Sequence, residues 1–255
     1  MGNLIGISGK KRSGKDTVGK IIQWLTSVKT REIWLNDIQV FLEESHKYDT
    51  SESIFEIKKF ADKLKDIVCL LINCTREQLE DEVFKNTELG EEWNTWRIKN
   101  KSLNTTIVEC VTKKECLSIY ENIDKRFNKI VNDVKLTPRL LLQKIGTDLF
   151  RNQLLNNIWV NSLFSEYIPD IDSKATYLEY PNWIITDVRF PNEAEKIKEK
   201  GGLLIRINRE GLIKDSHLSE TSLDSYNFDF VIDNNKDINY LINEVKKILK
   251  KLNII

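Results

Sequence analysis

The sequence predicts an α/β fold, a mostly parallel sheet flanked by helices on both faces. Three observations carry this. A short apolar run, "NLIGIS" (Asn3 to Ser8), leads through a Gly-rich loop into residues at helical spacing. Strand-like and helical segments then alternate to the C-terminal end. Hydrophobic residues are 40% and charged residues 31% of the 255, a balance suited to a well-buried core.

The elements follow in order. After the loop, Val18, Ile21, Ile22 and Leu25 mark a helix that begins near Lys15. The stretch Lys29 to Glu56 has no clear period. "IFEIKKFA" (Ile54 to Ala61) suits a second strand, and "DKLKDIVCLLI" a helix starting at Asp62. "LEDEVFKNTELGEEW" (Leu79 to Trp93) is polar, a loop with short helical pieces. "TTIVECV" is strand-like, whereas Ile119, Ile123, Phe127, Ile130 and Val134 predict an amphipathic helix. The region around 80–135 is therefore expected to be a helical lobe inserted into one domain spanning 1–255.

"LTPRLLLQKIGTDLFRNQLL" opens a long helix, with Thr137 as N-cap and Pro138 at its first position. Trp183 to Thr186 is a strand ending in a charged turn. "NEAEKIKEKGG" is a helix closed by Gly201, and "LLIRIN" and "FDFVID" are further strands. Ile238, Leu241, Ile242, Val245, Ile248, Leu249 and Leu252 define a final amphipathic helix.

Composition narrows the function classes. Lys+Arg and Asp+Glu are both 39, so no global field draws the chain to nucleic acid or to acidic lipid. The longest apolar run, "IVCLLI", is too short to span a bilayer. Lys10, Lys11 and Arg12 interrupt the first apolar stretch, so no secretory signal is visible, and Gly6 breaks a myristoylation pattern. The expected location is the cytoplasm, that of the host if the chain is viral. Cys69, Cys74, Cys110 and Cys116 form no C-x-x-C pair and read as reduced thiols.

Four stretches carry chemistry. "GISGKKRSGKDT" nearly matches G-x-x-x-x-G-K-[ST], with Gly9, Gly14 and Lys15 in place. Backbone N–H groups at such a turn converge on phosphate, and the helix dipole adds to them. Asp16 stands where a magnesium-holding hydroxyl is usual. Either Asp16 helps hold magnesium, or it turns away and Thr17 supplies the oxygen. In "IITDVRFP", Asp187 ends a strand, where ligands collect, and Arg189 is suited to clamping phosphate. Arg139, Gln143, Gly146 and Thr147 share one face of a helix, with Arg151 a turn beyond and Leu141, Ile145 and Leu149 on another side. That polar face suits a base and a monophosphate; its alternative is a solvated surface. His217, in "DSHLSE", is either a loop-organising hydrogen-bonder or a ligand contact.

Together, "GKKRSGKDT", "FADKLK", "LEDEVFK", "TPRLLLQKIGTDLFR", "TDVRFPNEAEKI" and "DSHLSE…FDFVIDN" resemble the bacteriophage-type deoxynucleoside monophosphate kinases, in the family's order. The resemblance implies a P-loop kinase fold, ATP as donor, Mg2+ as cofactor and a deoxynucleoside monophosphate as acceptor. It implies catalytic roles for Lys15, Arg12, Asp187 and Arg189, and ATP contacts from Gly9, Lys11, Ser13, Gly14, Lys15, Asp16, Thr17 and Arg209. Acceptor contacts would come from Ala61, Asp62, Lys65, Arg139, Gln143, Gly146, Thr147, Arg151 and Glu193, and metal contacts from Asp16, Thr17 and Asp187. The family also carries Asp after the loop Lys, so Asp16 becomes part of the resemblance. Lys63 departs from it, standing where Pro is usual. No nucleic-acid or membrane partner is expected, and a homodimer is compatible with the family.

Two rival functions share the loop. One is a P-loop kinase for another small acceptor, such as a phosphorylated mevalonate or a coenzyme precursor. The other is a nucleotide-driven switch or motor. The polar face at Arg139 and Gln143 argues against a switch, which needs no second small-molecule pocket.

Overall fold

β1 (Leu4–Gly9) is buried from Leu4 to Ser8, as befits a strand covered on both faces. The computed structural model describes residues 3–27, 54–110, 112–169, 180–212 and 221–255. Most of the ambiguous stretch 29–56, and His217 with its "DSHLSE" loop, lie outside the described residues.

In chain order, β1 is followed by α1 (Lys15–Thr26), β2 (Glu56–Lys58) and α2 (Asp62–Ile72). Next come α3 (Arg76–Glu80), α4 (Glu82–Asn86), β3 (Thr95–Asn100), β4 (Thr106–Cys110), α5 (Lys113–Glu121) and β5 (Asn128–Val134). α6 (Pro138–Gln143) runs into a π-helical stretch, Lys144–Leu154. α7 (Ile158–Phe164), β6 (Trp183–Val188), α8 (Pro191–Glu199), β7 (Leu203–Asn208), β8 (Phe230–Asp233) and α9 (Ile238–Lys251) complete the series. The chain divides into two compact units, one of residues 1–62 and 155–255, the other of residues 63–154.

In the first unit the described strands form one sheet in the order β2-β6-β1-β7-β8, and every pairing is parallel. Residues of β1 alternate between its two faces. Ile5 and Ile7 pack with Val18, Ile21 and Ile22 of α1 and with Leu241 and Val245 of α9. Gly6 faces the opposite way, where a Cβ would meet Ile197 of α8 and Leu204 of β7, each at 2.7 Å. The sheet is thus sandwiched, as the sequence predicts. β2 is shorter than expected, because Lys59 to Ala61 leave the sheet for a turn. α7 was not foreseen.

In the second unit β4, β3 and β5 form an antiparallel sheet in that order. α5 covers it through a small core of Trp96, Ile98, Cys110 and Cys116, joined by Ile119, Tyr120 and Ile130. The lobe is therefore mixed, with helix and sheet, rather than helical. The expected helix from Ile119 to Val134 stops at Glu121, and Ile130 and Val134 lie on β5. The physical cause is an ambiguity of spacing. Steps of four residues stay near one face of a helix, but they also stay on one face of a strand. Asp124 and Arg126 form the ion-paired turn between the two elements.

The N-cap reading at Thr137 holds: its hydroxyl accepts from Leu140 N at 3.2 Å, and Pro138 opens α6. The apolar stripe does not continue as expected. Leu141 is buried, but Leu149 is 49% exposed. From Lys144 onward i→i+5 bonding widens each turn, so spacing by 3.6 no longer predicts the face.

Glu80 is the electrostatic centre of the second unit. Its carboxylate pairs with Lys65 and Lys85. Burial pushes the Glu80 carboxyl up, but the two lysines outweigh it and hold it at about 2, against an ordinary 4.5. A depressed folded value means the ionised form stabilises the fold, fully above the ordinary value and decreasingly as pH falls through the folded one. The hydrogen-exchange protection of α2 to α4, taken relative to the intrinsic exchange rate at each pH, should therefore fall between about pH 5 and about pH 2. Glu80→Gln should speed exchange at neutral pH and flatten that dependence; an unchanged profile would show that the ion pairs do not hold these helices together.

Candidate functional site

The loop between β1 and α1 folds as its glycines require. Gly9 has φ 154° and Gly14 φ 103°. A Cβ on Gly9 would fall 2.5 Å from both Ile207 O and Ser13 Oγ. Arg12, at φ 65°, also lies in the left-handed region. No side chain caps α1, whose N-terminal residue Lys15 follows Gly14 directly. A helix N-terminus without a side-chain cap is suited to receiving an anion at its first-turn N–H groups.

Lys15 folds back over the loop. Its ammonium donates to Gly9 O at 2.6 Å and to Lys10 O at 2.7 Å, and the residue is only 7% exposed. Asn234, just past β8, donates from Nδ2 to Ser13 O at 2.9 Å. The Ser13 hydroxyl is buried, with no hydrogen-bond partner among the described residues. The site is thus a turn rich in N–H donors, a buried cation and a buried hydroxyl, all suited to phosphate oxygens.

Asp16 is held from two strands. Its Oδ1 accepts from Thr186 Oγ1 of β6 at 2.9 Å and pairs with Lys59 Nζ, beyond β2, at 2.7 Å. Burial pushes its carboxyl up, but Lys59, Thr186 and Lys15 more than offset this and keep it below the ordinary value. The side chain is nonetheless 64% exposed, so its remaining oxygen is open to solvent. One turn along α1, burial lowers the Lys20 ammonium from its usual range, with Asp16 opposing. Thr17 is half-buried.

Asp187 behaves differently. Oδ1 accepts from Phe60 N at 2.8 Å and Oδ2 from Ala61 N at 3.0 Å. Burial pushes its carboxyl above the ordinary value, against these two bonds and the charges of Arg189 and Lys59. Both oxygens thus hold the turn after β2. Glu193, expected among acceptor contacts, is 2% exposed and accepts from Arg189 N at 2.8 Å and Phe190 N at 3.0 Å. The observed bonds make it the cap of α8 and the support for the backbone of Arg189.

At the carboxyl edge of the first unit's sheet the structure gathers the loop from Gly9 to Thr17, Ala61, Asp62, Asp187, Arg189 and the exposed Arg209. The second unit holds the other expected acceptor residues. Arg139 donates to Glu82 Oε2 and Asn86 Oδ1, each at 2.9 Å, while Lys65 pairs with Glu80. A Cβ on Gly146 would lie 2.5 Å from Leu64 Cδ2, so the close approach that this glycine permits is to α2. The common face argued from 3.6-residue spacing extends to Gln143 only, since Gly146, Thr147 and Arg151 lie on the π-helical stretch. There Arg151 is 6% exposed while Leu149 is largely exposed. That reversal of polarity belongs with π-helical geometry, which gathers at functional sites.

Lys59 and Thr186 contact Asp16 and Asn234 contacts the loop, and no pattern in the sequence singles these three out. Each sits within or beside a recognised block, but no local spacing connects residue 16 with 59 or 186. Among the described residues, no group of three or more His, Cys, Asp or Glu is placed to hold a metal. One ionised, solvent-facing carboxylate beside a phosphate loop nevertheless suits Mg2+, which takes one or two carboxylates together with phosphates and waters.

Comparison with known proteins supports the same identification. A family model described as deoxynucleotide monophosphate kinase matches residues 3–245. The chain is 26% identical over 236 residues to the deoxynucleoside-5'-monophosphate kinase of Escherichia phage T5, covering 88% of this chain and 86% of that protein. It is 40% identical over 118 residues to an Acanthamoeba polyphaga mimivirus protein provisionally named a deoxynucleotide monophosphate kinase, covering 43% of this chain and 59% of the relative. It is 30% identical over 132 residues to the deoxynucleotide monophosphate kinase of Enterobacteria phage T4, covering 49% and 53%. The chain thus spans just over half the length of the mimivirus and T4 relatives and most of the T5 protein.

The bonds from Asp187 predict a stability effect. Asp187→Asn retains one acceptor but turns an amide N–H2 toward a backbone N–H. Loss of one buried bond should cost about 1–3 kcal/mol. Urea denaturation should show the lower midpoint; an unaltered midpoint would mean that the Phe60–Ala61 turn does not depend on this carboxylate.

Proposed function

The chain belongs to the deoxynucleotide monophosphate kinase family, and from that premise we propose that it transfers the γ-phosphoryl group of ATP to a deoxynucleoside monophosphate. The observation that carries this reading is the loop from Gly9 to Thr17, with its uncapped helix N-terminus and the inward-folded ammonium of Lys15. Its N–H groups would cradle the donor phosphates. Lys15 would exchange the Gly9 and Lys10 carbonyls for phosphate oxygens. Arg209 would lie toward the nucleotide.

Transfer of this kind depends on position and charge neutralisation more than on covalent chemistry. An oxygen of the acceptor phosphate attacks the γ-phosphorus in line. The new P–O bond forms as the bond to the β-phosphate oxygen breaks, leaving ADP and a deoxynucleoside diphosphate. The acceptor is already largely anionic at neutral pH, so no strong general base is needed. Lys15, Arg12 and Arg189 would stabilise the charge spread over the transferring group.

Asp16 and Thr17 are the proposed metal contacts. Mg2+ bound there would neutralise charge on the β- and γ-phosphates. Lys59 and Thr186 keep the Asp16 carboxylate ionised and oriented. Asp187 supports this centre by fixing the turn at Phe60 and Ala61. For the acceptor, Ala61, Asp62, Lys65, Gln143, Gly146 and Thr147 are the proposed contacts, with Arg139 and Arg151 as the cations for its phosphate. Among the described residues, no helix is long and apolar enough to cross a membrane.

The test is an ADP-release assay with ATP, Mg2+ and each of the four deoxynucleoside monophosphates. Turnover with at least one is expected, and Lys15→Met should lower it by at least about 100-fold. Turnover with another acceptor but none of these would sink the substrate assignment. Near-full activity in Lys15→Met would remove the loop from the mechanism.

A further inference from the structure

We propose that Cys69 and Cys74 form a modification site, a dithiol that small-molecule disulfides convert into an intramolecular disulfide at the C-terminal cap of α2. α2 ends at Ile72, and Asn73 follows in the left-handed region at φ 50°. Cys74 N then donates to Cys69 O at 3.1 Å. This is a Schellman closure, in which the residue beyond the turn folds back onto the last full turn and the two flanking side chains meet. That contact is usually apolar. Here both members are cysteines.

The bond at 3.1 Å keeps the two Cα atoms within about 7 Å, the separation beyond which a disulfide needs backbone movement. The Cys69 and Cys74 side chains are neighbours across this turn, close enough for each to act on the other. Both residues are partly exposed, so a small reagent can reach them. Arg76 and Asp66, paired at 2.6 Å, flank the site with one charge of each sign.

The chemistry balances as a thiol–disulfide exchange. The Cys74 thiolate attacks one sulfur of an external disulfide, forming a mixed disulfide and releasing one thiolate. Cys69 then gives up its proton to solvent and attacks the Cys74 sulfur. The second external thiolate leaves, and the Cys69–Cys74 bond closes. Two electrons pass from the protein to the reagent. Burial and the neighbouring Cys74 push the Cys69 thiol up to about 11, so little Cys69 thiolate is present at neutral pH and the second step relies on the closeness of the two side chains across the turn.

Cys110 and Cys116 supply an internal comparison. They also lie together, but both are buried in the small core with Trp96 and Ile98. Burial and Cys110 push the Cys116 thiol up to about 12. A folded protein should shield this pair from the reagent.

Tryptic cleavage after Lys65 and Arg76 places Cys69 and Cys74 in one peptide, whereas Cys110 and Cys116 fall in two. The intact protein is treated with oxidised glutathione at neutral pH, alkylated, unfolded, digested and weighed. The expected product is the Asp66–Arg76 peptide lighter by two hydrogens, unalkylated, and restored by dithiothreitol. Cys69→Ser should stop at a persistent glutathione adduct on Cys74. The proposal is overturned if Cys69 and Cys74 are both alkylated, if the wild type stops at a mixed disulfide, or if the bridge joins two copies of the chain.

Discussion

The parallel pairing of β1 between β6 and β7 is the constraint on which the site depends. It brings three chain segments, distant in sequence, to one edge of the sheet at their carboxyl ends. The phosphate loop leaves β1 there, Arg189 follows β6 and Arg209 follows β7. Insertion of β6 between β1 and β2 sets the next position outward, from which Lys59 reaches Asp16. Thr186, on the intervening strand, reaches the same carboxylate. A shift of β6 by one residue would turn Thr186 to the opposite face and bring Asp187 toward α1.

Two neighbouring carboxylates are treated in opposite ways by this arrangement. Asp16 meets an ammonium and a hydroxyl, and its carboxyl is held below the ordinary range. Asp187 meets two backbone N–H groups in a buried setting that lifts its carboxyl above that range. The first is suited to carrying charge beside bound phosphates, the second to holding the turn that borders them. Glu193 performs a similar supporting task for the segment at Arg189. Much of the polar chemistry around the loop therefore fixes backbone, leaving N–H donors and a few cations to meet a ligand.

The elements that were legible in the sequence have strong local causes. β1 is an uninterrupted apolar run before glycines, α1 and α9 have helical periodicity, and α6 opens on a Thr-Pro cap. The region after Ile119 is ambiguous in sequence because apolar steps of four suit a helix and a strand alike. Its outcome was decided by pairing of β5 with β3, a contact that no local window contains. The π-helical stretch was equally hidden, since Leu149 and Arg151 look apolar and polar in sequence but exchange their expected places.

The sequence by itself determined the Gly-rich loop between β1 and α1, the alternating elements and the family. Glycine stereochemistry, hydrophobic period and block order are written locally along the chain. Only the tertiary structure decided which side chains meet: Lys59 and Thr186 on Asp16, Asn234 on the loop, Asp187 on the backbone of residues 60 and 61, and Cys69 beside Cys74. The first three depend on strand order and register, which bring together residues far apart in the chain. The last depends on a single left-handed residue at a helix end, whose conformation Asn permits but does not compel.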